Sequence, residues 1–299
     1  MKALRYLSVT ILDEKYDGDG PSFLSNELRY IRWENYPKSS FPDTFQPMNL
    51  VNMKLSKSLQ KELWKGYKHL PRLTVLELYY MKNMLSTPDF YGLPCLQKLT
   101  LHKCKELQEI HPSLGCHKSL EYVRVLYCYK LRKFPTIVQM GKLQTLTIQY
   151  CNDSLEFPEI KSNMESLVRL SLRDMRIDVL LSSIGERCVN LVSLDLANCS
   201  SLKSTEVDFD GLKYLEAFTL NGLTHSKTRD KLFISWLVGK VGCGKDWYRS
   251  QPSISLWLTR SLTKLYISDC GLRDGEIPSN IGELYNLQEL HLGGMILLS

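Results

Sequence analysis

No stretch of this 299-residue sequence is apolar for long enough to cross a membrane. The most apolar run, Leu232–Val238, is far shorter than the ~20 residues that a spanning helix needs. The sequence also lacks a large excess of either charge, because 38 Lys and Arg against 32 Asp and Glu leave a net charge of +6. So slight an excess permits acidic partners without requiring them, and it favours neither nucleic acid nor a membrane as the partner.

The sequence also lacks the residue patterns of a catalytic or cofactor site. Its six histidines are scattered, and Cys116-His117 has no second pair at the spacing of a zinc site. The segment Gly239–Lys245 has the spacing of a phosphate-binding loop, but Asp246 stands where Ser or Thr would ligate magnesium. We therefore expect no enzyme activity, no cofactor and no bound metal.

One short pattern is present and fills most of the sequence. Residues Leu96–Cys104 read Leu-x-x-Leu-x-Leu-x-x-Cys, and the alternation Leu-x-Leu is typical of a short strand with one apolar face. The leucines that open the pattern recur at steps of 22 to 25 residues, apart from one step of 47 that contains a decayed copy. These leucines are Leu4, Leu28, Leu50, Leu73, Leu96, Leu120, Leu143, Leu167, Leu191, Leu215, Leu262 and Leu287.

This period predicts a leucine-rich-repeat solenoid of the α/β class. We expect a horseshoe with a concave parallel β-sheet and irregular or short-helical convex returns. Because a solenoid grows by repetition, we count one domain over residues 1–299, with about twelve recognisable repeats and an irregular or degenerate repeat at 224–258. Prolines in the first returns, among them Pro37 and Pro71, predict turns or extended segments there rather than long helices.

Five of the nine cysteines lie eight residues after an opening leucine. Met81 and Met175 occupy the same position in other copies, so the side chain at this position packs and does not bind metal or form a disulfide. We predict buried, free thiols at this position, which suit a reducing compartment. The five residues are Cys104, Cys128, Cys151, Cys199 and Cys270.

Several linked segments identify a resemblance to a known family. Leu28–Pro37, Phe45–Pro47, Leu63–Gly66, Thr87–Phe90 and Phe157–Ile160 are similar to segments in the repeats of plant intracellular disease-resistance proteins. The class that the chain resembles carries a Toll/interleukin-receptor domain, then a nucleotide-binding domain, then leucine-rich repeats. The likeness covers nearly the whole chain except residues 224–258.

Both upstream domains of that class are missing, so we expect Met1 to be an internal methionine of a longer protein. The resemblance implies a protein-recognition module of plant innate immunity, located in the cytoplasm, with the nucleus as a second location. It implies two partners: a pathogen effector or guarded host protein, and the nucleotide-binding domain of the same receptor, which the repeats restrain. From the slight charge excess and the absence of a long apolar run, we expect neither nucleic acid nor a membrane as a partner.

Two other functions stay open from the sequence. The repeat domain of an extracellular receptor is suggested by Glu276–Pro278 and Ile281-Gly282, although the chain begins without a signal-peptide stretch and its repeat cysteines are unpaired. A substrate adaptor of a ubiquitin ligase would need an F-box, which the chain lacks.

The candidate protein-binding residues follow from the strand pattern. Positions three and five of each repeat, counted from its opening leucine, point onto the concave face, and positions seven and eight line its rim. In the middle repeats these positions are rich in Tyr, Lys and Arg, and Tyr and Arg are the residue types that anchor protein interfaces. We expect the binding face to contain Arg32, Lys54, Tyr79, Lys98, Tyr122, Arg124, Tyr127, Tyr150, Arg169 and Arg173; Tyr80, His102 and Lys103 occupy the same positions.

Overall fold

The Leu-x-Leu segments fold as short parallel strands, one in each repeat. The structure is a computed structural model, and it describes residues 3–11, 20–151, 155, 157–202, 204–205, 207, 209–221, 261–268, 281–282 and 284–293. Cys270 and the whole of 224–258, with its phosphate-loop-like segment, lie outside these residues. The chain packs as two compact units, Met1–Ser166 and Leu167–Ser299.

The first unit is built on seven parallel strands whose order in the sheet is their order in the chain. Each strand has five residues and pairs in register with the strand one repeat later. The strands are β1 (Tyr6–Thr10), β2 (Tyr30–Glu34), β3 (Asn52–Ser56), β4 (Val75–Tyr79), β5 (Lys98–His102), β6 (Tyr122–Leu126) and β7 (Thr145–Gln149).

The second unit repeats this arrangement with sheet strands of three or five residues. Its parallel sheet has the order β8-β10-β12-β13-β14, while β9 and β11 pair separately in the returns. A five-residue helix, α1 (Ser183–Arg187), lies between β9 and β10. The strands are β8 (Arg169–Ser171), β9 (Val179–Leu180), β10 (Ser193–Asp195), β11 (Ser204–Thr205), β12 (Ala217–Asn221), β13 (Lys264–Ser268) and β14 (Glu289–His291).

The leucines of the pattern form the core. Leu96, Leu99 and Leu101 of one repeat are all fully buried, and the matching residues of the neighbouring repeats stack on them in register. A single strand could not bury this face, so each repeat depends on its neighbours for its core. The prediction of a leucine-rich-repeat solenoid is confirmed.

The returns are turns and single helical turns, as the prolines predict. In the first unit they contain two 3-10 helices, Phe90–Gly92 and Pro112–Cys116, and in the second unit a third, Phe209–Gly211. The earliest returns are filled by aromatic rings: Tyr36 packs on Phe41, with ring centroids 4.8 Å apart. The expectation of irregular or short-helical returns is therefore confirmed for the described residues.

Four of the five repeat cysteines lie in the described residues, and all four are buried free thiols: Cys104, Cys128, Cys151 and Cys199. Cys104 and Cys128 each contact the carbonyl oxygen of a core strand residue in the preceding repeat, Leu78 at 3.6 Å and Leu101 at 3.9 Å. Burial raises the pKa of Cys199 to about 12. The thiolate that would react is therefore strongly disfavoured there.

These four thiols should react only when the chain unfolds. We expect iodoacetamide to alkylate Cys95, which is exposed, well before it reaches the buried four. Peptide mass mapping over a time course measures the order, and denaturation in urea should make all the rates similar. A disulfide mapped among the four, or alkylation as fast as that of Cys95, would contradict the packing role of this position.

Candidate functional site

The side of each sheet opposite the leucines, called the open face here, carries the predicted binding residues. Strand registry aligns position three of each repeat with position three of the next, and position five likewise. Neighbouring strands lie about 4.8 Å apart, so residues aligned in this way are side by side. The ten predicted residues are all half-buried or exposed: Arg32, Lys54, Tyr79, Lys98, Tyr122, Arg124, Tyr127, Tyr150, Arg169 and Arg173.

Within the first unit the predicted tyrosines of the binding face lie in two separate places. Tyr127 and Tyr150 stack with ring centroids 4.5 Å apart and planes 4° apart. Tyr122 lies at the opposite end of β6, roughly 16 Å from Tyr127 at 3.3 Å per residue, and its hydroxyl donates to Oε1 of Gln144 at 2.8 Å. The predicted residues Tyr122, Arg124, Tyr127 and Tyr150 are therefore spread over the full length of a strand.

Glu77 is a central residue of the open face that the sequence pattern did not single out. Its carboxylate accepts a hydrogen bond from Nζ of Lys98 at 2.6 Å and pairs with Nζ of Lys54 at 3.4 Å. Two of the predicted binding cations are thus already engaged with one carboxylate between them. Glu77 occupies position five of its repeat, and that position was the only signal that could have pointed to it.

The pKa of Glu77 reflects these contacts. Burial raises it, but the hydrogen bonds and charges of Lys98 and Lys54 outweigh burial, and the pKa of the carboxyl is lowered. Because the pKa in the folded state lies below that in the unfolded state, ionised Glu77 stabilises the fold above its unfolded pKa of about 4.3. This stabilisation is lost as the pH falls through the folded pKa.

We expect Glu77→Gln to lower the free energy of unfolding by about 1 kcal/mol at neutral pH, because it leaves two lysines without their carboxylate. Urea unfolding of both proteins as a function of pH measures the effect, and the difference should vanish in acid. The matched control is Glu106→Gln, which removes an exposed pair with Lys130 at 2.7 Å and should cost only a few tenths of a kcal/mol. A cost that does not change with pH would contradict this account of Glu77.

Position eight has a fixed backbone conformation that places its side chain at the rim. All eight described non-glycine residues with positive φ occupy this position, with φ between 51° and 61°. L-residues disfavour this left-handed region, but here each turn is held by neighbouring repeats: the amide of Tyr127, for example, donates to the carbonyl of Gln149 at 3.0 Å. The eight are Asn35, Lys57, Tyr80, Lys103, Tyr127, Tyr150, Asp174 and Asn198.

This turn assembles a cluster of rings around His102. The imidazole contacts Tyr79, Tyr80 and Tyr127 edge-on, with centroids 5.7, 5.5 and 5.6 Å away. The Nζ atom of Lys103 lies 5.2 Å from the ring of Tyr80 and 5.4 Å from that of Tyr127, within cation–π range. We call Tyr79, Tyr80, His102, Lys103, Tyr127 and Tyr150 the rim cluster.

The rim cluster is a positively charged environment. Burial lowers the pKa of His102, and the charges of Lys103 and Arg124 lower it further. His102 is therefore neutral at physiological pH, and the two cations that lower its pKa are Lys103 and Arg124. Tyr129, which lies outside positions three to eight, extends the cluster through a ring contact with Tyr127 at 6.3 Å.

Comparison with known proteins gives a consistent result. The Leucine Rich Repeat family model matches residues 261–284. The TMV resistance protein N of Nicotiana glutinosa is 31% identical over an alignment that covers 98% of this chain and 27% of that protein. This chain is a leucine-rich-repeat relative of plant disease-resistance proteins. The resemblance inferred from the sequence segments is thereby confirmed.

Another relative and one solved structure complete the comparison. The disease resistance-like protein DSC1 of Arabidopsis thaliana is 30% identical, with 92% of this chain and 24% of that protein aligned. This leucine-rich-repeat relative thus spans about a quarter of the length of these two curated proteins. The plant peptide hormone receptor RGFR1 in complex with RGF2 aligns with 91% of the chain and 52% of its own, at 19% identity and a TM-score of 0.39.

The described residues hold no candidate metal site and no candidate membrane span. No group of three or more His, Cys, Asp and Glu side chains there is arranged to hold a metal ion. In that same part of the chain, no helix has the length and apolar character to cross a membrane. The candidate site of this leucine-rich-repeat relative is the open face, where the predicted binding residues lie, together with the rim cluster.

Proposed function

We propose that this chain is the protein-recognition module of a plant immune receptor, and that its open face binds a pathogen effector or a host protein that the effector modifies. The observation that supports this most directly is the density of tyrosines and cations on β4 to β6 and in the turns that follow β4 to β7, held on a sheet whose opposite side is a packed leucine core. Aromatic residues and arginine contribute most to protein interfaces, and they do so best from rigid elements. The similarity to plant disease-resistance proteins supports the same function.

The second part of the proposal concerns the remainder of the receptor. Because the chain spans about a quarter of the length of its relatives, we propose that the same repeats also restrain a nucleotide-binding domain in the resting receptor. We place the module in the cytoplasm, with the nucleus as a second location. Buried free thiols at a fixed repeat position support a reducing compartment.

An exchange of repeats tests the proposal. The matching segment of the tobacco relative is replaced by residues 1–299, and the chimera is expressed in leaves with individual effectors, using cell death as the readout. We expect the chimera to lose the response of the tobacco protein and to acquire one set by the new repeats. A chimera that keeps the original specificity would contradict a recognition role. A chimera that causes no cell death without an effector, as the parent receptor does, would support restraint of the nucleotide-binding domain by these repeats.

A further inference from the structure

Lys103 lies at the centre of the rim cluster. Within the described residues, its ammonium group contacts tyrosines. Its Nζ atom lies 3.4 Å from the hydroxyl of Tyr80, between the rings of Tyr80 and Tyr127. Lys54, Lys57 and Lys98 on the same face are each paired with a carboxylate. In the part of the chain that the structure describes, no such ion pair involves Lys103.

Arg124 is a second cation of this kind. It is exposed at position five of β6, where its neighbours in register are the uncharged Thr100 and Thr147. In the register of β5 and β6 it lies diagonally across from His102, whose direct partner is Leu126, and its charge, like that of Lys103, lowers the pKa of His102. Lys103 and Arg124 therefore form a positive centre beside exposed and half-buried tyrosine rings.

This arrangement combines two binding chemistries within a few residues. The ammonium and guanidinium groups can hold a carboxylate by charge-assisted hydrogen bonds, and the hydroxyl of Tyr80 can donate a further one. The rings of Tyr127, Tyr129 and Tyr150 supply apolar surface beside it, and Tyr129 is 51% exposed. A segment with both acidic and apolar side chains matches such a surface.

We propose that the rim cluster, together with Arg124, binds an acidic peptide segment of the protein partner, with a carboxylate on Lys103 and Arg124 and apolar atoms over the tyrosines. This inference rests on the proposed recognition function and specifies the chemistry of the partner. The segment crosses the carboxyl ends of β4 to β7, where the turns at position eight fix the side chains that contact it.

Nucleic acid fits the same surface less well. Bases bind to single-stranded sites by stacking on free aromatic faces, whereas the ammonium group of Lys103 lies over the rings of Tyr80 and Tyr127. Tyr127 and Tyr150 already stack on each other at 4.5 Å, which leaves no room for a base between them. Two cations outside ion pairs are also few compared with the several phosphate contacts of typical nucleic-acid sites.

Binding of an acidic probe to the chain tests the proposal. The probe is dye-labelled oligoglutamate of roughly ten residues, which is long enough to cross four strands spaced about 4.8 Å apart. Fluorescence anisotropy at low salt should show that Lys103→Ala with Arg124→Ala weakens binding about tenfold or more. Tyr127→Ala, which leaves the charge unchanged, should also weaken binding by removing apolar contact.

The matched control is Arg132→Ala with Lys142→Ala, which removes the same charge from exposed positions in a return. We expect it to change the affinity by less than about twofold. Equal weakening by both pairs, or no measurable binding of oligoglutamate, would overturn the proposal. Tighter binding of a uridine oligonucleotide of matched charge would overturn it in favour of nucleic acid.

The pKa of His102 provides a second readout, which reports binding at the rim cluster itself rather than a general attraction between opposite charges. Tyr79 and Tyr80 at the end of β4, Lys103 beside it, and Arg124 and Tyr127 from β6 surround this ring. A carboxylate bound to Lys103 and Arg124 would offset their charges, so NMR titration should show the pKa of His102 rising when oligoglutamate binds. If this pKa does not move and the chimeric receptor still responds to its effector, the recognition function stands and the acidic chemistry is wrong.

Discussion

We expect a receptor that carries this chain with Tyr122→Ala and Arg124→Ala to lose its response to the recognised effector while accumulating to its normal level. Both side chains lie on the open face of β6, with Tyr122 40% exposed, so their truncation opens no cavity among the leucines. Truncation of an interface anchor typically costs about 2 kcal/mol or more, which is roughly a 30-fold loss of affinity for each residue. Leaf cell death measures the response, and immunoblotting measures the accumulation.

The matched control is Ser193→Ala with Thr219→Ala, at positions three and five of two strands in the second unit. Both are half-buried outward residues with little side-chain area to lose, so we expect a nearly unchanged response. If the control pair abolishes the response and the Tyr122 and Arg124 pair does not, the binding surface lies on the strands of the second unit.

Gly115→Ala should destabilise the chain by about 3 kcal/mol, near the upper end for an overpacked site. A Cβ atom at this buried residue would lie 1.9 Å from the carbonyl oxygen of Thr136, in the next return. The carbonyl of Gly115 also accepts hydrogen bonds from the amides of Val138 and Gln139, both at 2.8 Å. The added methyl group would therefore push apart two returns whose backbones are bonded to each other.

Gly141→Ala is the matched control, because its Cβ would meet only the carbonyl oxygen of Asn163, at an ordinary 3.9 Å. We expect a change within about 0.5 kcal/mol for this exposed position. Urea unfolding followed by circular dichroism compares the two, and hydrogen exchange should locate the loss of Gly115→Ala in the returns around 112–139. If the two variants unfold at the same urea concentration, the contact with Thr136 relaxes at no cost.

Much of the fold could be predicted because it depends on short-range patterns. Alternation within Leu96–Cys104 identifies a strand and its apolar side, and its recurrence every 22 to 25 residues identifies the solenoid. The cysteine position followed from the same count and is confirmed where the structure describes it. The close approach of Gly115 to Thr136 could not be predicted, because it depends on how two returns lie against each other.

The candidate site was predictable only in part. The sequence identified which side chains leave the core, since outward and inward positions alternate along a strand. It did not show that Glu77 lies between Lys54 and Lys98, because this depends on which residues the strand register brings side by side. Nor did it show that Tyr127 and Tyr150 stack or that the hydroxyl of Tyr122 bonds to Gln144.

The sequence by itself determined the repeat, the leucine core, the buried cysteines and the set of outward residues, because each of these depends on position within one repeat. Only the tertiary structure decided which of the outward cations are paired and how the rings gather around His102. The left-handed turn at position eight directs Lys103 and Tyr127 toward each other, and an amide held by the next repeat stabilises that turn. Contacts between residues more than twenty positions apart are fixed by strand register and by side-chain packing, and a local sequence pattern carries neither.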